Sequence, residues 1–537
     1  MKIKMYLRNV LTITLILLFP YLSTAQKVER VRFEQYKKQN RNAIADIVDG
    51  KTEKAIAHFE QYLKEHQGDL ESLYGLAVAY SAKNDLDAAM RYAKKAIEQG
   101  LQVERFIAGP RSLLKTLVGS NDFSDFIIGR YQLLIHGPML GNFTDKQACI
   151  WVRTSRVADV KVEVTDVEKH IKMTFTATST PETDYTAVVL ATGLQPNTEY
   201  NYDVYIDGSL FFFNGHFKTF QTENKPLTLK LGFGGGAGYT PWHERMWDTL
   251  VTHQLDAFLL LGDNVYIDHP TKPEVQQYCY YRRQSRPEFR HFTSEVPVYA
   301  IWDDHDFTIN DGEGGPEIDH PEWKIPVWKL FKNQWNNPYY GGGENHPGCW
   351  FDFSIGDIDF FFMDCRYYRE NPKTTKKPSM LGEYQKQWLK DKLKASGATF
   401  KVVASSVPWA KGTKPGSDDT WDGFPEEREE IFSFIEENKI EGVILLSADR
   451  HRSDAWKIER SSGYTLYDFM SSRLTNVHTH NLMPGSIFGY NKTCSFGMLE
   501  FDTTQEDPKM SYLIYSINNE LINKITLYKS QLMFMEE

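Results

Sequence analysis

Four short stretches of this 537-residue chain carry side chains able to bind cations or move protons. They are Gly262-Asp263-Asn264-Val265-Tyr266-Ile267-Asp268, Trp302-Asp303-Asp304-His305-Asp306, Asp364-Cys365-Arg366-Tyr367-Tyr368-Arg369 and Ser447-Ala448-Asp449-Arg450-His451-Arg452-Ser453. Carboxylate, imidazole and phenolate all bind hard or borderline cations, so these residue types point to a metal centre. A single aspartate after a strand is more often a turn residue or cap than a ligand. Four strand ends of the same kind shift that balance toward one shared site.

The elements that must position them are apolar runs at 227–232, 258–261, 298–302, 360–363, 401–405 and 443–447, which read as buried strands. Between them lie segments of helical period, such as Trp242, Met246 and Leu250, or Tyr384, Trp388, Leu389 and Leu393. The alternation predicts an α/β domain over 226–525, and open α/β sheets place their sites at the carboxyl ends of the strands.

Two further segments precede it. Residues 133–222 hold short β-branched and aromatic runs at 148–153, 160–164, 185–190 and 200–206, separated by turn signals such as Gly193-Leu194-Gln195-Pro196-Asn197. That spacing predicts a β-sandwich over 130–222. Its phrase TGLQPNTEYNYDVYIDG resembles the late strands of a fibronectin type III domain. Upstream, Gly50 to Ala55 aligns with Asn84 to Ala89 at the roughly 34-residue period of tetratricopeptide repeats, with Leu73, Leu76, Ala77, Tyr80, Ala89 and Ala96 at packing positions. The pattern predicts a helical segment over 26–125, serving either as a groove for a protein partner or as a packing spacer.

The strand-end motifs GDNVYID, WDDHDFTIND, DCRYYR, LGEYQKQWL and SADRHRS, in this order, resemble the alkaline phosphatase D family of the calcineurin-like metallophosphoesterases, over about residues 133–500. The resemblance implies an α/β sandwich after a β-sandwich domain, with a small-molecule phosphoester as substrate. It also implies two or more metal ions, iron and calcium among them. By the same resemblance Asp263, Tyr266, Asp304, Asp449 and His451 are metal ligands. His305 contacts phosphate or protonates the leaving oxygen, and Asp303 orients its neighbours. Arg366 either stabilises phosphoryl charge or forms a structural ion pair.

One departure stands out: Gly236 occupies the place of the family's iron-binding cysteine, which leaves one metal short of a ligand and opens the site to other divalent ions. His243 is a candidate replacement, against a capping role. The loss also keeps open a second class of function, a degenerate phosphatase fold acting as a scaffold. The glycines at 232 and 234 with Ala237 imitate a dinucleotide fingerprint, but no ribose-binding acid is left free at the next strand end.

Composition sets the remaining bounds. A formal net charge of -10 argues against general nucleic-acid binding, and 14% aromatic residues argue against a flexible acidic tail. Residues 1–25 combine Lys2, Lys4 and Arg8, an apolar stretch and Ser23-Thr24-Ala25, the pattern of a cleaved signal that sends the protein to the periplasm or outside. No later run is long and apolar enough to span a membrane. The five cysteines contain no CxxC pair and read as scattered buried thiols with room for one bridge. The stretch 309–348, with Trp323, Trp328, Trp335, Tyr339 and Tyr340, is either a rim over the site or a packed loop.

Overall fold

The computed structural model describes residues 40–535. The expected signal at 1–25 and the first part of the expected helical segment lie outside them. After a helical stretch at 40–48 come α1 (Thr52–Glu65), α2 (Leu70–Ala82) and α3 (Leu86–Glu98). Asp69 and Asp85 begin the last two by accepting hydrogen bonds from Ser72 N and Ala88 N, satisfying donors that a helix start leaves open. Helix α2 is buried almost all round, packed against both α1 and α3. Gly75 allows the closest approach: a Cβ there would lie 2.3 Å from the Phe59 ring. Leu73, Leu76, Ala77, Ala89 and Ala96 are fully buried as the repeat pattern predicts, while Tyr80 is half-buried and stacks on Tyr92 at 5.5 Å.

The next seven strands form two antiparallel sheets. One has the order β1 (Leu134–Gly141), β2 (Gln147–Thr154), β5 (Thr186–Thr192). The other has the order β4 (Lys172–Ser179), β3 (Ala158–Asp166), β6 (Glu199–Ile206), β7 (Ser209–Lys218). In β3 the two-residue period is plain: Val160, Val162 and Val164 face the core, while Lys161 and Glu163 pair outside. Arg153 leaves β2 to bond Gln284 and Gln334 at 2.6 and 3.0 Å, which bolts these sheets to the carboxyl-terminal region.

The remaining strands build two larger mixed sheets. The first runs β10 (Val298–Ile301), β9 (Ala257–Leu261), β8 (Thr228–Gly234), β18 (Ser495–Asp502), β19 (Lys509–Ser516), β20 (Leu521–Tyr528). The second runs β11 (Phe351–Ile355), β12 (Ile358–Phe362), β13 (Phe400–Ala404), β14 (Val443–Ser447), β16 (Leu466–Ser471), β15 (Ser453–Ile458), β17 (Phe488–Tyr490). The sheets touch where Phe469 of β16 meets Tyr512 of β19, whose hydroxyl bonds Met470 O at 2.8 Å. Strands β8, β9 and β10 are parallel, as are β12, β13, β14 and β16, which explains their unbroken apolar runs.

All five cysteines are buried free thiols, so the single bridge the sequence left room for is absent. Trp328 and Trp335 are buried in the core, and Tyr339 and Tyr340 pack against it. Most of the aromatic content of 309–348 therefore belongs to a packed loop rather than to an open rim. No helix among the described residues is long and apolar enough to cross a membrane.

Candidate functional site

Strand β9 ends in a left-handed turn at Gly262 (φ +100°) and Asp263 (φ +53°). A Cβ at Gly262 would lie 2.6 Å from Asp303 Cβ, so glycine lets this turn reach the end of β10. The buried carboxylate of Asp306 ties the two loops together, accepting from Val265 N at 2.8 Å, Asn264 N at 3.1 Å and Asp303 N at 3.2 Å. Asn264 adds a bond to Ile301 O at 2.8 Å. With both loops pinned, ligand atoms of Asp263, Asp304 and His305 come within 4.8 Å of one another.

Tyr266 and His451 join Asp263 from the other side. The Tyr266 hydroxyl lies 2.7 Å from Asp263 Oδ2 and 2.8 Å from His451 Nε2, and His451 Nε2 is 3.6 Å from the same carboxylate. Asn476 donates to Tyr266 Oη at 2.7 Å. Four of the five residues expected as ligands thus gather here. Asp449 joins none of the close clusters among the described residues, and its carboxylate faces Arg450 Nη1 at 3.4 Å.

Two neighbouring clusters escaped the sequence reading. His451 meets His478 and His480, with ring centroids 5.2 and 5.4 Å away. Their alternate spacing in Asn476-Val477-His478-Thr479-His480 was the legible sign. Asp304 also meets Asp311 and Asp419, and here protein cations already supply the charge: Lys414 Nζ bonds each of the latter two at 2.9 Å.

Arg366 makes structural ion pairs, while its Nη2, 3.9 Å from Asp304 Oδ1, is buried with no hydrogen-bond partner among the described residues. It is fully buried, with Nε 2.5 Å from Asp303 Oδ1 and Nη1 2.7 Å from Asp419 Oδ1. Asp303, also bonded by Ser406 Oγ at 2.9 Å, caps the short helix Asp304–Phe307 and so orients Asp304.

His243 joins none of the close clusters among the described residues. Its Nδ1 lies 3.2 Å from Thr475 O and 3.3 Å from Cys494 Sγ, and burial lowers its pKa to about 4. The position of Gly236 explains itself differently from the lost-ligand reading. Its φ is +65°, and a Cβ would stand 2.5 Å from Ser472 O and 3.2 Å from His451 Cδ2. Backbone conformation and occupied space both demand glycine there.

The electrostatics describe a pocket short of positive charge. Burial pushes Asp263 up to about 6 and Asp303 and Asp304 up to about 7, with neighbouring carboxylates adding to the shift. Burial opposes the His305 cation, but Asp304, Asp263 and Asp268 outweigh it and raise that imidazole to about 10. Asp263 Oδ1 is buried with no hydrogen-bond partner among the described residues. An orphaned carboxylate oxygen within a cluster of acids, imidazole and phenol suits a metal ion.

Residues 231–487 match the model of the PhoD-like phosphatase family, 131–223 match a domain of unknown function, and 48–106 match a tetratricopeptide repeat. The chain is 25% identical over 388 residues to alkaline phosphatase D of Bacillus subtilis (strain 168), covering 63% of this chain and 64% of that protein. The match therefore spans somewhat under two thirds of that relative's length. A solved structure of PhoD superposes with a TM-score of 0.60 at 18% identity, covering 72% of this chain and 91% of that one, a likeness of fold.

Proposed function

From a chain that carries a PhoD-like phosphatase domain behind a tetratricopeptide repeat, we propose an exported, metal-dependent hydrolase of phosphomonoesters or phosphodiesters. The observation that carries the reading is the meeting of Asp263, Tyr266, Asp304, His305 and His451 from three separate loops in one buried, acid-rich pocket. Asp263, Tyr266, Asp304 and His451 would hold the metal ions, with Asp449 as a further candidate. Iron and calcium are the ions the resemblance implies. The imidazoles of His451, His478 and His480 also suit borderline divalent ions. Metal bound there supplies charge neutralisation for phosphoryl oxygens and lowers the pKa of the attacking water.

The chain's own residues do the rest. His305 Nδ1 is held by Asp268 at 2.5 Å, which leaves Nε2 to donate a proton to the departing oxygen. The same Nε2 can donate to an anionic oxygen of the substrate's phosphate. Upstream, a sandwich of three plus four strands supports a fibronectin type III-like reading, and the repeat would offer a surface to a protein partner. The domain limits proposed are 26–125, 130–222 and 226–525, after a signal at 1–25. The rival scaffold reading draws on Gly236, and metal analysis of wild type beside Asp263→Ala and His451→Ala separates the two.

The test is hydrolysis of nitrophenyl mono- and diesters by purified protein with calcium, iron, manganese or zinc. Asp263→Ala and His451→Ala are expected to lose both bound metal and turnover. Wild-type protein that binds no metal and turns over neither ester would end the proposal.

A further inference from the structure

We infer that Arg41, from the amino-terminal helical segment, positions His305 through Asp268. The inference rests on the hydrolase reading of the site and adds that the helical segment completes it. Arg41 is 4% exposed and belongs to the helical stretch 40–48, more than two hundred residues before the loop it enters. Its Nη1 donates to Tyr266 O at 2.6 Å, and its Nη2 donates to Asp268 Oδ2. The other oxygen of that carboxylate, Oδ1, meets His305 Nδ1 at 2.5 Å. One guanidinium thus grips the backbone of one site residue and the carboxylate that orients another.

Arg41 is not an isolated contact. Asn42 Oδ1 lies 3.0 Å from His269 Nε2, and Asp49 pairs with Lys272 at 2.5 Å. Three residues of one short segment therefore clamp the loop 266–272, which runs directly out of the metal-site turn. The loop is also stitched to His305, since Ile267 N and Asp268 N donate to His305 O at 2.9 and 3.3 Å. A carboxylate held by a buried guanidinium keeps both its charge and its direction. That fixes which nitrogen of His305 faces the substrate, the same job that outer partners perform for metal-bound histidines.

The role predicts a kinetic signature that general destabilisation would not produce. If Arg41 acts through proton donation by His305, its loss matters most when the leaving oxygen needs a proton. Full-length Arg41→Gln, Arg41→Lys, Asp268→Asn and the Arg41→Gln/Asp268→Asn pair would be compared on a phenyl ester and a dinitrophenyl ester of phosphate. Each ester is presented in the mono- or diester form that wild type turns over. Circular dichroism and bound-metal analysis accompany each variant, and Lys54→Ala, an exposed change on α1, is the control.

Arg41→Gln is expected to lower kcat on the phenyl ester by about 10- to 100-fold, hardly change it on the dinitrophenyl ester, and keep its metal. Arg41→Lys is expected to fall in between, since it keeps a cation beside Asp268 but loses the fork. The double variant is expected to be no worse than Asp268→Asn alone. Equal losses on both esters, or additive losses in the double variant, would overturn the inference while leaving the hydrolase reading intact. If Arg41→Gln does not fold, Arg41→Lys and Asp268→Asn carry the same leaving-group test. Wild type inactive on both esters would bring down the hydrolase reading and this inference with it.

Discussion

Replacing Gly236 by cysteine separates two accounts of the metal site. If glycine there means a missing ligand, the cysteine should add a thiolate and tighten metal binding. The local geometry predicts the reverse. At φ +65° a side chain sits in the left-handed region, which costs roughly 1–2 kcal/mol. Its Cβ would be 2.5 Å from the backbone oxygen of Ser472 and 3.1 Å from that residue's carbonyl carbon, so a strand end must move rather than a flexible side-chain tip. Overpacking of that kind adds about 1–3 kcal/mol, for a combined loss of about 2–5 kcal/mol. The third neighbour is His451 Cδ2 at 3.2 Å, so the disturbance passes to a proposed ligand. Urea unfolding of Gly236→Cys and Gly236→Ala beside wild type, at one pH and with metal analysed in each sample, makes the measurement. Both variants are expected to be destabilised by similar amounts and to hold less metal. A cysteine variant as stable as wild type and carrying extra metal would refute the argument.

Other outcomes follow from charge and burial. In chelator-treated protein, Asp263, Asp303 and Asp304 titrate near 6 to 7 against 3.8 for the ordinary group, so the folded state holds more protons between those values and stability falls as pH rises from about 4 to about 7. His305, raised to about 10, is charged in both states below its ordinary 6.5 and adds to the fall above it, because the folded imidazole keeps its proton while the unfolded one loses it. Thermal melts across this range should show the decline, and added divalent cation should flatten it; identical profiles with and without cation would count against the site. At the join between the helical repeat and the helix Pro273–Gln284, Arg105 Nη2 pairs with Glu71 at 3.1 Å and Tyr278 Oη donates to Glu71 at 2.8 Å. Glu71→Leu leaves the Arg105 guanidinium buried without its carboxylate and should cost about 3–5 kcal/mol, read as lost hydrogen-exchange protection in α2 and Pro273–Gln284. Unchanged protection would mean that the Glu71 contacts do not hold the repeat against Pro273–Gln284.

The legible parts of this protein share one property, a signal carried by neighbours in the chain. Strand β14 was readable to the residue because a parallel strand covered on both faces is a continuous apolar run. Strands β18 to β20 were not anticipated, since Ser495–Tyr528 mixes polar and apolar residues; β18 pairs with β19 and β19 with β20 as antiparallel neighbours, and β18 joins the sheet through the distant β8. Trp242, placed on a helix by its spacing, is instead exposed ahead of the helix Met246–Val251. Asp263, Asp304 and His305 were readable as site residues because each comes after a readable strand. His478, His480, Asp311 and Asp419 sit in loops whose local pattern says nothing about which pocket they face.

By itself, the sequence determined the residue types at the strand ends, the helical and β periods, and hence a repeat, a β-rich region and a phosphatase-like domain. Only the tertiary structure decided which polar groups meet. Tyr266 and His451 touch across 185 residues of chain, and Arg41 reaches Asp268 across 227. It turned Arg366 inward to Asp303 and Asp419, left Asp449 outside the close clusters, and made Gly236 a steric necessity. The physical reason is that local spacing dictates conformation and which face of an element a residue occupies. Charge pairing and crowding depend on distances that exist only once separate elements are brought together.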